Sequence, residues 1–118
     1  MNAMASNSYQ LLPPLERAQF FKRRIEEGTG ASALARELNK SLSYISNTIR
    51  LLKLPDIVKD GLISGVISEG HARALLGLRS EAQCVNVYKM VLTHRASVRK
   101  TEEMVRKEQA LVNTPASQ

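Results

Sequence analysis

The sequence has 118 residues, about the length of one domain, and its single cysteine, Cys84, excludes an internal disulfide. Aromatic residues make up only 4% of the chain and tryptophan is absent, so the core must rest on Leu, Ile, Val and Ala, a composition that favours an all-helical fold. The net charge of +6 favours an anionic partner such as nucleic acid, and no apolar run approaches the roughly 18 residues of a membrane span, which argues against a membrane protein.

Helical segments follow one another along the chain, each marked by apolar residues at helical spacing and bounded by Gly, Pro, Asn or Ser. The sequence predicts seven helices, at residues 14–27, 31–38, 42–52, 56–64, 69–78, 81–93 and 98–112. N-cap positions of these helices are occupied by Ser41, Ser68, Ser80 and Ser97. We therefore expect a compact all-α bundle over residues 11–112, between flexible tails at residues 1–10 and 113–118.

The second and third predicted helices have the sequence shape of a helix-turn-helix. A short helix, the turn Asn39–Ser41 and a second amphipathic helix follow one another at the spacing of that motif. Each residue of a helix is rotated by 100° from the one before it. On the third helix this rotation points Ile45, Ile49 and Leu52 to the core.

The opposite face of the third helix carries Ser43, Asn47 and Arg50. These side chains suit a DNA major groove, because Asn can pair with adenine, Ser can reach either kind of base edge, and Arg can bind guanine or phosphate. Lys40 and Ser41 precede the helix, where unpaired backbone amides also favour a phosphate. The alternative is that this polar stripe is only the solvated face of an amphipathic helix.

Three segments resemble the central DNA-binding domain of the ParB-type plasmid and chromosome partition proteins. They are "KSLSYISNTIRLLKLP" (40–55), "GHARALLGL" (70–78) and "ASVRKTEEMV" (96–105), and with "LLPPLERAQFF" (11–21) they extend the resemblance over residues 11–107. The resemblance implies an all-helical ParB/KorB-like domain that binds double-stranded DNA at a centromere-like inverted repeat through its helix-turn-helix.

The resemblance also implies which residues contact DNA. Base-edge contacts fall on Ser43, Tyr44 and Asn47, and backbone or mixed contacts on Lys40, Ser41, Arg50 and Arg73. Two positions depart from the family pattern. Asn39 stands where the family commonly has Gly, a tolerable change because Asn accepts a left-handed conformation, and Leu42 stands where the family commonly has Arg.

In that family a preceding domain binds and hydrolyses CTP, and a C-terminal segment dimerises the protein. We expect this chain to be a fragment of a longer protein or a member reduced to its DNA-binding core, with CTP bound only if a preceding domain exists. The expected partners are a second copy on DNA and a partition ATPase reached through other regions, and the expected location is cytoplasmic, on a nucleoid or plasmid.

Two other functions stay open. A ParB-like transcriptional regulator would use the same contacts at an operator, and a protein-interaction module would pair its last helix with a partner in a larger partition complex.

The residues that could support catalysis or metal binding are scattered. His71, Cys84 and His94 lack zinc-like spacing, and no phosphate-binding Gly-rich loop occurs. We expect no enzymatic activity, a buried thiol at Cys84, and a structural or capping role for His71.

Overall fold

The computed structural model describes residues 8–113, and over this range it contains seven α-helices and no β-strand. The helices are α1 (Pro14–Glu26), α2 (Ala31–Leu38), α3 (Leu42–Arg50), α4 (Asp56–Ser64), α5 (Glu69–Leu75), α6 (Glu81–His94) and α7 (Val98–Asn113). The predicted all-α class is therefore confirmed. The tails predicted at residues 1–10 and 113–118 lie mostly outside the described residues.

Contacts divide the chain into two compact units, one ending at Lys53 and the other beginning at Leu54. The first unit contains α1, α2 and α3, and α1 packs against α3. Its core consists of Tyr9, Phe21, Leu34, Ala35, Leu38 and Ile45.

Tyr9 belongs to this core, although the sequence placed it in the predicted N-terminal tail. Residues Ser8–Leu11 form a 3-10 helix, and the Tyr9 side chain is 1% exposed with its ring centroid 5.5 Å from that of Phe21. A single aromatic residue among small polar neighbours has no periodicity to reveal its role. Its position in the core depends on Phe21, which a sequence window around Tyr9 does not contain.

The end of the third helix differs from the prediction. It was expected to run to Leu52, but α3 ends at Arg50 and the chain tightens into a 3-10 helix over Leu51–Lys53. Ile45 is fully buried and the half-buried Ile49 packs against the core of the first unit, as expected, and Leu52 is half-buried. Thr48 and Leu51 are also fully buried, which the sequence did not predict. The Thr48 hydroxyl donates a 2.7 Å hydrogen bond to the Tyr44 carbonyl, which is how a polar side chain is accommodated in the core.

The second unit packs α5 against α6 and α7, with α4 against α5 and α6. Ala72 and Leu75 of α5, Val87 and Val91 of α6, and Val105 of α7 are buried in it. The fifth helix is three residues shorter than expected, because the chain leaves α5 after Leu75 and turns through Leu76–Leu78.

The four predicted N-cap serines are confirmed. Ser41, Ser68, Ser80 and Ser97 each accept a hydrogen bond from the backbone amide three residues later, at 3.0, 3.3, 3.1 and 3.0 Å. Each serine thereby satisfies one of the amides that a helix leaves unpaired at its first turn.

His71 confirms the structural role expected of it. Its Nδ1 accepts a hydrogen bond from the Ser68 amide at 3.0 Å and completes a capping box at the start of α5. With Nδ1 as acceptor, Nε2 is the protonated nitrogen, and it donates to the Ala96 carbonyl at 2.8 Å. The ring thus ties the start of α5 to the turn between α6 and α7.

Candidate nucleic-acid interface

The turn between α2 and α3 has the left-handed residue that a helix-turn-helix requires. Asn39 has φ 58° and ψ 46°, and it ends α2. The Lys40 amide donates to the Ala35 carbonyl at 2.9 Å, which closes the turn. The expectation that Asn can replace a glycine here is confirmed, since its side chain tolerates the left-handed region better than most residues do.

The first turn of α3 follows directly. Ser41 caps it, and Leu42 and Ser43 are exposed, with 48% of Leu42 accessible to solvent. The amides of this turn carry the partial positive charge of a helix N-terminus, which favours a nearby anion.

Tyr44 is half-buried rather than fully available on the exposed face. Its ring makes an edge contact with Phe21, with centroids 5.9 Å apart, so it fastens α3 to α1. The Lys40 ammonium lies 5.1 Å from the centroid of the same ring, a cation–π distance. This contact holds the Lys40 charge beside the first turn of α3.

Asn47 and Arg50 are joined on the predicted recognition face. Arg50 Nη1 donates to Asn47 Oδ1 at 3.1 Å, and Arg50 is exposed while Asn47 is half-buried. The pair presents an amide and a guanidinium side by side, and each group can bind the edge of a purine base.

Glu37 is the one acidic residue between Gly28 and Pro55, and an arginine neutralises it. Arg24 of α1 donates to both Glu37 carboxylate oxygens, at 2.9 and 3.1 Å. These hydrogen bonds are the main cause that lowers the pKa of Glu37 and raises the pKa of Arg24. The pair links α1 to α2 and leaves the helix-turn-helix with a net positive charge. Its exposed cations are Arg36, Lys40, Arg50 and Lys53.

Six of the seven predicted contact residues therefore lie on one turn and one helix of the first unit: Lys40, Ser41, Ser43, Tyr44, Asn47 and Arg50. Arg73 lies on α5 in the second unit, where its Nη2 donates to Glu69 Oε2 at 2.8 Å. Its role in DNA binding stays a prediction.

The pairing of Arg24 with Glu37 was not predicted from the sequence. The two residues are 13 positions apart on different helices, and periodicity describes one helix at a time. A count of the charged residues in the first three helices would have suggested only that Glu37 has a cationic neighbour.

The part of the chain that the structure describes offers neither a metal site nor a membrane span. No three His, Cys, Asp or Glu side chains there come together as they would to hold a metal ion. None of the helices described is both long and apolar enough to cross a membrane.

Comparison with known families and proteins agrees with this geometry. The ParB HTH domain model matches residues 10–110. The chain is 44% identical over 95 residues to the probable chromosome-partitioning protein ParB of Treponema pallidum (strain Nichols), a match covering 80% of this chain and 29% of that protein. It is 37% identical over 97 residues to the nucleoid occlusion protein of Geobacillus thermodenitrificans (strain NG80-2), covering 81% of this chain and 34% of that protein. The chain thus spans about a third of the length of these curated relatives.

Two solved structures are similar. One is the DNA-binding domain of the chromosome-partitioning protein ParB complexed to the centromeric parS site, with TM-score 0.79 and 36% identity, covering 86% of this chain and 84% of that chain. The other is the C-terminally truncated ParB from Caulobacter crescentus complexed to parS, with TM-score 0.73 and 37% identity, covering 81% of this chain and 50% of that chain.

Proposed function

Because this chain belongs to the family of ParB helix-turn-helix domains, we propose that it binds double-stranded DNA sequence-specifically, at a centromere-like inverted repeat used in plasmid or chromosome partition. The observation that carries the proposal is the arrangement of α2, the Asn39 turn and α3. It places exposed Ser43 and Arg50 and half-buried Asn47 along one helix face, beside cationic Lys40. Two structures with this fold hold parS DNA, which supports the proposal.

The proposed binding to DNA involves two kinds of contact. Asn47, Ser43 and the Tyr44 hydroxyl read base edges in the major groove, with Arg50 positioned by Asn47 to add a guanine or phosphate contact. Lys40 and the Ser41-capped first turn hold the phosphate backbone. Arg73 adds a backbone or mixed contact once it exchanges its Glu69 partner for a phosphate.

An inverted repeat presents two identical half-sites, so two copies of the chain occupy one site with matching two-fold symmetry. The proposal assigns no catalytic step to this chain. Within a longer protein, a partition ATPase would engage other regions, and binding would place the protein on a nucleoid or plasmid.

Selection of bound DNA from a random pool tests the proposed function. The expected result is enrichment of one palindrome with two half-sites, and the ratio of specific to non-specific binding should rise with each round. A pool that stays random after repeated rounds would overturn sequence-specific binding.

Nucleoid occlusion is a second candidate, favoured by the 37% identity to a nucleoid occlusion protein. In that case the same face of α3 would bind a different DNA sequence. Comparing the selected palindrome with parS tests the partition role, because both similar ParB structures hold parS DNA and a selected sequence unlike parS would count against that role.

A further inference from the structure

Leu42 is a large apolar side chain of α3 that the core does not hold. The structure describes α3 in full, and its other large apolar side chains, Tyr44, Ile45 and Ile49, are buried in the core of the first unit or pack against it. Leu42 does neither, and 48% of it is accessible to solvent. Packing within the chain therefore does not explain an apolar residue at the first position of this helix.

The part of α3 that is most accessible to solvent begins at Leu42. Ser46 and Arg50 follow it at intervals of four residues, and both are exposed, whereas Asn47 is half-buried. Successive members of such a row are rotated by about 40° and lie about 6 Å apart along the helix axis. We call the row of Leu42, Ser46 and Arg50 the outer ridge of α3. Ser46, which was not among the predicted contact residues, lies at its middle.

The members of the outer ridge differ in the groups that they can recognise. The Ser46 hydroxyl both donates and accepts hydrogen bonds, so it can reach either kind of base edge and discriminates little between them. The Arg50 guanidinium can bind guanine or a phosphate. The Leu42 side chain has no polar atom, so it can bind neither a phosphate nor a hydrogen-bonding base edge. The apolar group that a major groove presents is the C5 methyl of thymine, and this is the group that a leucine fits.

The position of Leu42 in the helix-turn-helix suits such a contact. In this motif the N-terminal residues of the second helix are the ones that meet base edges. Ser41 caps that helix, and its Oγ accepts a hydrogen bond from the Tyr44 amide at 3.0 Å, which orders the turn that carries Leu42. Leucine ends at its branched methyl groups, close to the backbone of this turn, whereas an arginine there would extend its charge further, toward the phosphates.

We propose that Leu42 is a specificity-determining residue, which packs against the C5 methyl of one thymine in each half-site. The inference rests on the proposed function, because it concerns the same face of α3. The contact removes two apolar surfaces from water. It favours thymine at one position of the half-site, since the other three bases have no methyl group in the groove.

Replacement of thymine by deoxyuridine removes only that methyl group and therefore tests the contact directly. In the selected duplex, each thymine of the half-site is replaced in turn, in both half-sites together. At one position the replacement should weaken binding of the wild type by about fourfold per half-site, because burial of one methyl group contributes about that factor. The same replacement should leave the affinity of Leu42→Ala unchanged, because the shorter side chain does not reach the methyl group.

Two further variants serve as controls. Leu42→Met keeps an apolar side chain of similar size and should keep the response to deoxyuridine. Leu11→Ala removes another leucine of the first unit, which is 87% accessible to solvent but lies outside α3, and should respond like the wild type. Alanine is a good helix former, so Leu42→Ala should melt like the wild type, which is verified first.

The outcomes separate this inference from the proposed function. A selected palindrome in which no deoxyuridine replacement distinguishes the wild type from Leu42→Ala would overturn the methyl contact and leave sequence-specific binding standing. A loss of the response in Leu11→Ala would also contradict the assignment to Leu42. A pool that yields no palindrome would overturn the proposed function, and this inference with it, before any modified duplex is made.

Discussion

Asn47 and Arg50 form one hydrogen-bonded unit on the exposed face of α3, whereas Lys40 is held beside the helix by the Tyr44 ring. Under the proposed function, the first arrangement fixes the direction of two groups that can bind base edges, and the second places a charge where a phosphate would approach. Base-edge recognition and phosphate binding are therefore proposed for different side chains, and single substitutions should affect one without the other.

Asn47→Ala should reduce the preference for the selected site over random DNA, because it removes a base contact and releases Arg50. The expected cost is about 1–3 kcal/mol on the selected site, with little change on random sequence. Lys40→Ala should weaken binding to the selected site and to random DNA by a similar factor. It should also reduce the dependence of the affinity on salt concentration. Titrations of each variant with both duplexes measure these affinities, once each variant has been shown to melt like the wild type. Undiminished preference in folded Asn47→Ala would show that the reading face is elsewhere.

Leu42 is 48% exposed at the first position of α3, where ParB-type proteins commonly have arginine. Leu42→Arg should strengthen binding to all DNA and steepen the salt dependence by about one counterion, because it adds a cation beside the backbone. Binding measured at several salt concentrations gives the two slopes. Identical slopes would mean that this position faces away from the phosphates.

The Cys84 thiol is buried, as expected, and burial raises its pKa from 9.0 to about 11, with a smaller effect from Glu81. The folded state holds this proton more tightly than the unfolded state does. The contribution to stability is therefore complete below pH 9 and is lost as the pH rises toward 11.

Denaturation of the wild type and Cys84→Ala at pH 8 and pH 10 isolates this effect from other titrating groups. The wild type should lose about 1 kcal/mol relative to the variant between the two pH values. A constant difference between the two proteins would show that the thiol is accessible to water.

Among the elements, the α2–turn–α3 arrangement depends on a left-handed residue, and α7 is held in the second unit by its packing against α5 and α6. Thr101 and Val105 of α7 are buried in the second unit, while Met104 and Leu111 line a groove between α6 and α7.

Asn39→Gly should leave the stability of the first unit unchanged or raise it slightly, because glycine adopts φ 58° without strain. Asn39→Val should lower the free energy of unfolding by about 1–2 kcal/mol, since a β-branched side chain is disfavoured in that conformation. Urea denaturation measures both, with Lys40→Gly as the control at a neighbouring position that does not have positive φ. Equal stability of the glycine and valine variants would contradict the role of this turn.

For the whole molecule, the excess of positive charge is the property that bears most directly on the proposed binding to DNA. The charge of +6 supplies sequence-independent attraction to DNA, and the neutralised Glu37 leaves the reading face free of repulsion.

Much of this molecule follows from local patterns in the sequence. Helical periodicity predicted all seven helices, and serine positions predicted four caps, because both depend on residues within one or two turns. Tyr9, Thr48 and the pairing of Arg24 with Glu37 were missed, since each depends on a neighbour from another element or on a hydrogen bond within the core. The residues proposed to contact DNA from α3 were placed together by helical periodicity, and their contacts with DNA stay a prediction. The pairing of Arg73 with Glu69 is an i,i+4 pair on one helix, so it could have been predicted from the sequence but was missed.

The most direct test of the central claim compares the affinity of the chain for a duplex carrying the selected inverted repeat with its affinity for a scrambled duplex of equal length and composition. Sequence-specific binding predicts a preference of about 10³-fold or more near physiological salt, and this preference should persist while both affinities fall with rising salt. Equal affinity for the two duplexes across the salt series would contradict sequence-specific recognition and leave only electrostatic attraction.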